Sequence, residues 1–223
     1  MILRIFRRSA GLLLGLSLLA GCGGSQAPLD TEVATVLPTP KAIGSFALSR
    51  GEGVPSFTQG TLQGQWTLVF FGYTRCPDVC PTELFTLAET LRSIEKMPEQ
   101  VVAAPQVAFI SVDPQQDLPE EVQKYAGYYH PAFIGATGEQ AVVDQLSKSM
   151  GAIYERVYYL NGRALVVDPE VGPPEGLENA YLINHSATIF LLNPDGKLHA
   201  VYSTPHEPAK IIRDLNLMQK NWP

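Results

Sequence analysis

The sequence lacks the clustered positive charge that nucleic-acid binding requires. Charged residues make up 17% of its 223 residues, the formal net charge is −6, and no lysine or arginine cluster follows Arg8. Because neutralising phosphate groups needs a basic surface, this composition argues against nucleic acid as a partner. The hydrophobic fraction of 45% is instead typical of a globular chain whose core is large enough to fold without disulfide bonds or a structural metal.

Long hydrophobic runs are also missing, since the apolar stretch 11–19 is too short to span a membrane comfortably. It follows an arginine-rich start and ends in Leu19-Ala20-Gly21-Cys22, which indicates a signal peptide over residues 1–21. The junction resembles the bacterial lipobox, and this resemblance implies that Cys22 carries a lipid. An uncleaved signal anchor is the alternative. Both place the domain outside the cytoplasm, on the periplasmic side and tied to a membrane.

Cysteine is scarce, with three residues in the whole chain. An odd number of thiols in an oxidising compartment would leave one unpaired. If Cys22 carries lipid, Cys76 and Cys80 remain as a pair. Residues 22–40 are rich in glycine, serine, threonine and proline and predict a flexible membrane tether, which leaves 41–223 as the folded domain.

Strand and helix patterns alternate along residues 41–223. The runs 66–71 and 107–112 are continuously apolar, as in strands buried on both faces. Between them, 82–94 has apolar residues at helical spacing, and the chain closes with a hairpin over 188–202 and a further helix. This order predicts an α/β sandwich with a mixed central sheet flanked by helices.

Three further local patterns make specific predictions. Asp117 and Thr137 are each followed three residues later by Glu or Gln, which predicts side-chain caps at two helix starts. The segment 161–180 is rich in glycine and proline and predicts an irregular insertion or a hairpin loop.

Cys76 and Cys80 fall between a buried strand and a helix start. Unpaired N–H groups at a helix N-terminus favour thiolates, which serve equally as nucleophiles and as soft metal ligands. A structural disulfide would close only a small ring and stabilise little. Thiol-disulfide oxidoreductases usually have two residues between their cysteines and a proline before the facing strand; here there are three residues, and 184–188 contains no proline.

A metal centre is the third interpretation of the pair. Thiolates select Cu(I), and an added imidazole also suits Cu(II). Zinc is the rival ion, although a structural zinc site usually needs a fourth protein ligand.

One of four histidines would complete the site. His185 immediately precedes an apolar strand. The order of strands and helices resembles that of a thioredoxin-like domain, in which the loop before this strand lies against the cysteine-bearing helix start. His130 is predicted to be a surface or capping residue at a helix end. His199 is predicted to face solvent or a neighbour, and His206 to be a polar cap.

Three collinear segments resemble the SCO/SenC family of copper chaperones. They are 71–84 (FGYTRCPDVCPTEL), 112–120 (VDPQQDLPE), and 181–186 (YLINHS) with 193–197 (NPDGK). The resemblance implies a thioredoxin-like fold with Cys76, Cys80 and His185 as ligands of Cu(I), Cu(II) or both. It also implies delivery of copper to the dinuclear copper centre of cytochrome c oxidase subunit II. The alternative is an extracytoplasmic thiol-disulfide reductase or copper-linked redox sensor that uses the two cysteines.

Two polar residues lie beside the predicted ligands in the sequence, and each has more than one possible role. Family members usually carry Asp immediately before the ligand histidine, whereas this chain has Asn184. Its loss of a carboxylate could alter the orientation of the imidazole, the charge of the site or docking. Asp78, between the cysteines, is expected to tune charge or to contact a partner, and a solvated loop residue is the alternative.

Overall fold

The computed structural model describes residues 29–165, 167 and 171–223. The predicted signal peptide, the predicted lipidation site Cys22 and the first residues of the predicted tether lie outside these residues. Among the described residues, no helix combines the length and the apolar character needed to cross a membrane.

Eleven strands and four α-helices are defined in the described residues. The strands are β1 Ala34–Ala42, β2 Ala47–Leu48, β3 Phe57–Thr58, β4 Thr67–Gly72, β5 Gln106–Ser111, β6 Ile134–Ala136, β7 Tyr154–Leu160, β8 Arg163–Leu165, β9 Tyr181–His185, β10 Ile189–Leu192 and β11 Lys197–Tyr202. The helices are α1 Val79–Lys96, α2 Pro119–Tyr129, α3 Gln140–Met150 and α4 Pro208–Lys220.

The main sheet has six strands in the order β1-β11-β10-β4-β5-β6. β4, β5 and β6 pair in parallel, whereas β10 runs antiparallel to both β4 and β11. Every residue of β4 is buried, because strands lie on both of its sides and side chains cover both of its faces. The predicted mixed α/β sandwich of thioredoxin-like type is confirmed.

Helix α1 carries the second cysteine and is fixed by its apolar side. Leu84, Leu87, Ala88 and Leu91 are buried at helical spacing, and the helix contacts both α2 and α4. Burying each leucine contributes roughly 1.5–3 kcal/mol, so the position of the first turn is set by packing along the whole helix.

The prediction of a flexible tether through residue 40 is wrong for residues 34–40. They belong to β1, an edge strand whose Ala34 pairs with Tyr202 and whose register shifts between Val36 and Lys41. The buried carboxylate of Asp214 accepts the backbone N–H groups of residues 32, 33 and 34, at 2.8–2.9 Å. The prolines that suggested a linker are tolerated because an irregular edge strand does not need every N–H. The folded domain therefore begins before residue 41.

A second sheet contains three strands in the order β8-β7-β9. Asn161 and Gly162, with φ of 52° and 75°, turn the chain between β7 and β8. The hairpin alternative for the start of segment 161–180 is thereby confirmed. β9 pairs with the other edge of β7 and ends at His185. We call these three strands the small sheet.

The two predicted helix caps are wrong. The residues at the cap positions of α2 and α3 are Leu118 and Glu139, and neither forms a side-chain cap. Asp117 instead accepts hydrogen bonds from Thr74 and Ser111, and Thr137 donates to the Ser111 carbonyl. Long-range contacts compete successfully with local capping, and they tie the loop before Cys76 to the end of β5.

Candidate metal centre

Two parts of the fold bring the predicted ligands together. Cys76 lies in the loop that follows β4, and Cys80 lies in the first turn of α1. His185 is the last residue of β9, on the small sheet. Both thiols are free and buried, and the ring of His185 is partly buried.

The donor atoms converge at distances that suit one metal ion. His185 Nε2 lies 3.2 Å from Cys80 Sγ and 3.7 Å from Cys76 Sγ, and all three ligand atoms lie within 4.8 Å of one another. Metal–sulfur and metal–nitrogen bonds of about 2.3 and 2.0 Å at a tetrahedral angle give a sulfur–nitrogen separation of about 3.5 Å. The two observed separations lie on either side of this value.

The other ring nitrogen of His185 is held by the backbone. Nδ1 lies 3.1 Å from the Ser186 carbonyl oxygen. Because a carbonyl only accepts, Nδ1 donates to it, and Nε2 is the ring nitrogen that is left to face the sulfurs or a metal ion. The rings of Phe70 and Tyr73 meet the imidazole edge-on, with centroid separations of 5.9 and 6.0 Å, and shield it from water.

The two thiols have opposite acidities. The hydrogen bond from Cys80 lowers the pKa of Cys76 to about 3 despite burial, with further lowering by His185 and by the backbone N–H groups of Cys80 and Asp78. Burial, and then the neighbouring Cys76, raise the pKa of Cys80 well above its ordinary value. The metal-free pair therefore holds one thiolate and one thiol, and a metal ion that binds both sulfurs must displace a proton.

Asp78 and Asn184 are both exposed and lie at the edge of the centre. Asn184 projects from the face of β9 opposite to His185, and its amide lies 3.5 Å from Glu155 Oε1 on β7. The hydrogen bond between His185 and Ser186 therefore does not depend on a carboxylate at position 184. Asp78 precedes α1, and its backbone carbonyl accepts from Thr82.

Of the other three histidines, His206 is placed differently from the prediction. His199 is buried between Trp66 and Trp222, at ring separations of 5.1 and 5.5 Å, so it faces neighbours, which is one of its two predicted alternatives. The His206 side chain is also buried and does not cap a helix: Nδ1 lies 2.6 Å from Glu83 Oε2 and Nε2 lies 3.1 Å from the Tyr202 carbonyl.

His130 ends helix α2, as expected of a capping residue, but it is not on the surface. Its Nε2 lies 3.3 Å from Glu95. The described histidines other than His185 are thus engaged away from the cysteines.

Sequence reasoning missed the residues that support the cysteine loop. A Cβ atom at Gly72 would lie 2.5 Å from Cys80 Sγ, so glycine is required for the sulfur to occupy its place. Asp117 accepts from the backbone N–H of Thr74 at 2.8 Å and from its hydroxyl at 2.5 Å. The signal that could have identified Gly72 is its position at the end of a buried apolar strand, just before the cysteines. Asp117 gave no such signal, because its local sequence has the pattern of a helix cap.

The model of the SCO1/SenC family matches residues 35–220. The mitochondrial SCO2 homologue of Mus musculus is 33% identical over 172 residues, which cover 77% of this chain and 60% of that protein. A putative copper-binding protein of Stutzerimonas stutzeri is 32% identical over 180 residues, 81% of this chain and 78% of that protein. The chain thus spans about three fifths of the length of the mouse relative.

Solved structures show the same fold. Copper-bound ScoI of Arabidopsis thaliana superposes with a TM-score of 0.63 at 29% identity, over 81% of this chain and 99% of that one. Apo Sco1 of Thermus thermophilus gives a TM-score of 0.63 at 33% identity, over 83% of this chain and 94% of that one.

Proposed function

Since the chain belongs to the SCO1/SenC family, we propose that it is a copper metallochaperone that delivers copper to the dinuclear centre of cytochrome c oxidase subunit II. Cys76, Cys80 and His185 hold the copper as cargo. The observation that carries the proposal is the convergence of two sulfurs and one imidazole nitrogen within 4.8 Å.

The donor set favours copper over zinc. Two sulfur donors suit Cu(I), and the imidazole extends the preference to Cu(II). A structural zinc site usually has four protein ligands, whereas the cluster found among the described residues contains three metal-binding side chains. A three-ligand site also leaves room for a donor of the acceptor protein to bind before a ligand of this chain departs.

Proton exchange at Cys80 assists unloading. When copper binds, the Cys80 thiol loses its proton; when an acceptor takes the metal, the raised pKa of Cys80 returns the proton to that sulfur. Cys76 remains a thiolate in both states because its pKa is lowered. The two sulfurs therefore differ after unloading, since Cys76 stays a thiolate and Cys80 regains its proton.

Copper binding is tested by titrating the full chain and its variants with Cu(I), against a competing chelator, and with Cu(II). We expect one copper per chain, loss of tight binding of both ions in Cys76→Ser and Cys80→Ser, and loss of tight Cu(II) binding in His185→Ala. Asn184→Ala is the matched control, since that side chain lies on the opposite face of β9. Unchanged stoichiometry and an unchanged Cu(II)–thiolate spectrum in His185→Ala would contradict the assignment of His185 as a ligand.

Delivery is tested by mixing the copper-loaded chain with the metal-free acceptor domain of oxidase subunit II. We propose that Asp78, which is exposed between the two ligands, contacts the acceptor. Asp78→Asn should slow transfer without altering copper affinity. An absence of transfer from the wild-type chain would refute the choice of acceptor.

The membrane anchor is a separate part of the proposal. Cys22 would carry the lipid, on the periplasmic side, with a tether that ends where Asp214 binds residues 32–34. Cys22→Ser should move the chain from the membrane fraction to the soluble fraction. Unchanged membrane association would argue against lipidation at this residue.

A thiol-disulfide reductase is the second candidate, favoured by the unequal acidities of the cysteines. The Cys76 thiolate would attack a substrate disulfide and release one substrate thiolate. Cys80 would then lose its proton, attack the Cys76 sulfur and release the second, leaving a Cys76–Cys80 disulfide that an external dithiol reduces. This activity should survive His185→Ala and vanish in either cysteine variant.

A further inference from the structure

His185 belongs to a different sheet from the one that supports the cysteines. β9 pairs with β7 in the small sheet, whereas Cys76 and Cys80 follow β4 of the main sheet. The distances from His185 Nε2 to the two sulfurs therefore depend on how the small sheet docks against the body of the protein.

A buried carboxylate links the two sheets. Asp113 follows β5 and is 1% exposed. Its Oδ1 accepts from the Tyr181 hydroxyl at 2.6 Å and from Arg156 Nη2 at 3.3 Å. Tyr181 begins β9 and Arg156 lies in β7, so one acceptor ties two of the three strands of the small sheet to the end of β5.

Neighbouring contacts reinforce this link. The Arg156 guanidinium lies over the Tyr181 ring, 5.3 Å from its centroid, and donates to Gln140 Oε1 of α3 at 2.8 Å. Burial, and then the hydrogen bond to Asp113, raise the pKa of Tyr181 to about 12, so its hydroxyl stays protonated and donates.

The contacts along β9 follow strand periodicity. Tyr181, Ile183 and His185 project from one face, because side chains alternate along a strand. The Tyr181 hydroxyl binds Asp113, the Ile183 N–H donates to the Tyr73 hydroxyl at 3.3 Å, and the His185 ring meets the sulfurs. Four residues of strand span about 13 Å, so a tilt of about 10° would move one end by about 2 Å. Metal sites tolerate only about 0.5 Å.

From this geometry we propose that Asp113 and Tyr181 are positioning residues of the copper centre, whose hydrogen bond fixes the docking of β9 and thereby the distances from His185 to the sulfurs. The proposal deepens the chaperone function and rests on it. Neither residue touches the metal; both act through the strand that carries His185.

Tyr181→Phe is the main test, because it removes one hydroxyl and keeps the ring. We expect Cu(II) affinity of the full chain to fall about tenfold, with a shifted Cu(II)–thiolate band. Cu(I), held chiefly by the two sulfurs, should change by about twofold or less. Tyr158→Phe is the matched control, since that ring packs 5.4 Å from Tyr181 in the paired strand.

Asp113 provides a graded second series. Asp113→Asn keeps an acceptor oxygen for Tyr181, so it should retain more Cu(II) affinity than Asp113→Ala. Wild-type Cu(II) affinity and spectrum in Tyr181→Phe would overturn the proposal, as would equal losses in Tyr181→Phe and the Tyr158→Phe control.

A metal-free measurement separates this inference from the proposed function. Amide hydrogen exchange of the apo chain should accelerate about tenfold at residues 181–186 in Tyr181→Phe and stay unchanged at 189–192. Equal acceleration in both segments would indicate a merely structural role and overturn the proposal. If the wild-type chain binds no copper but exchange rises only at 181–186, the chaperone function fails and the positioning of β9 stands.

Discussion

Replacing Gly72 with alanine would test whether the cysteine loop is as tightly built as its contacts indicate. Gly72 ends β4, directly before the loop that carries Cys76. An added Cβ would lie 2.5 Å from Cys80 Sγ and 2.8 Å from Phe109 Cε2. Comfortable contacts between such atoms are about 3.5–4.0 Å, so a gap of about 1 Å must open.

The surroundings leave little room for this adjustment. Cys80 and Phe109 are both fully buried, at 0% exposure. Overpacking of this kind costs about 1–3 kcal/mol, and each kcal/mol lowers the melting temperature of a domain of this size by about 2–4 °C. A sulfur displaced by about 1 Å exceeds the tolerance of a metal site, so copper affinity should fall at least about tenfold.

The assay combines thermal unfolding of the apo chain with chelator competition for Cu(I). Gly127→Ala is the control, because no atom outside its chain neighbours and the backbone of its own helix lies within 4 Å of the position its Cβ would occupy. That change lies inside α2 and should be neutral or stabilising by up to about 1 kcal/mol. Wild-type melting temperature and copper affinity in Gly72→Ala would refute the argument that Cys80 needs the space.

Three further predictions follow from other contacts. Cys80→Ala should raise the pKa of Cys76, since the hydrogen bond from Cys80 is the main cause of its lowered value; thiolate absorbance against pH measures this. Burial opposes charge on His206, but Glu83 and the Tyr202 carbonyl outweigh burial and raise the pKa of His206 above 6.5. Glu83→Gln should therefore destabilise the apo chain by about 1–3 kcal/mol below pH 6.5, and progressively less as pH rises through the raised pKa. Asp214→Ala should cost about 1–3 kcal/mol in denaturant unfolding, because three backbone N–H groups lose their acceptor.

The two stability predictions each have a matched control. Glu89→Gln alters an exposed ion pair on the same helix as Glu83, and Asp195→Ala removes an exposed carboxylate. Both should change the free energy of unfolding by less than about 1 kcal/mol. A pH-independent effect of Glu83→Gln would contradict the charged state of His206, and an effect of Asp214→Ala no larger than that of Asp195→Ala would contradict the anchoring of β1. An unchanged titration of Cys76 in Cys80→Ala would contradict the assigned hydrogen bond.

The order of strands and helices could be predicted because it depends on local pattern. β4 and β5 are continuous apolar runs, and α1 has apolar residues at helical spacing, so burial and periodicity agree. β1 could not be predicted, because its threonines and prolines resemble a linker. Its stability comes from pairing with β11 and from Asp214, which lies 180 residues later than Ala34.

Part of the candidate site could likewise be predicted from the sequence, and part could not. The pairing of Cys76 with Cys80 follows from their spacing at a helix start, and the placement of His185 follows from strand order together with the resemblance. The hydrogen bond between Asp117 and Thr74 and the one between Asp113 and Tyr181 could not be predicted, because each joins residues that are distant in the sequence. A single sequence contains no signal for such pairs, because a buried carboxylate and a helix cap can share the same local pattern.

The division of the ligands between two sheets connects the fold to the proposed cargo transfer. Cys80 is fixed by the packing of α1 and by the space at Gly72, so the sulfur pair forms the rigid half of the centre. His185 is fixed through β9, which contacts the body through the buried side chain of Ile183 and through hydrogen bonds to Asp113 and Tyr73. The end of β9 is partly exposed at Asn184 and His185, whereas Cys80 is packed in the core, and partly exposed segments open at a lower free energy than a packed core; the imidazole is therefore the ligand that withdraws first. A chaperone with this construction would retain copper on its thiols until an acceptor ligand occupies the position that His185 leaves.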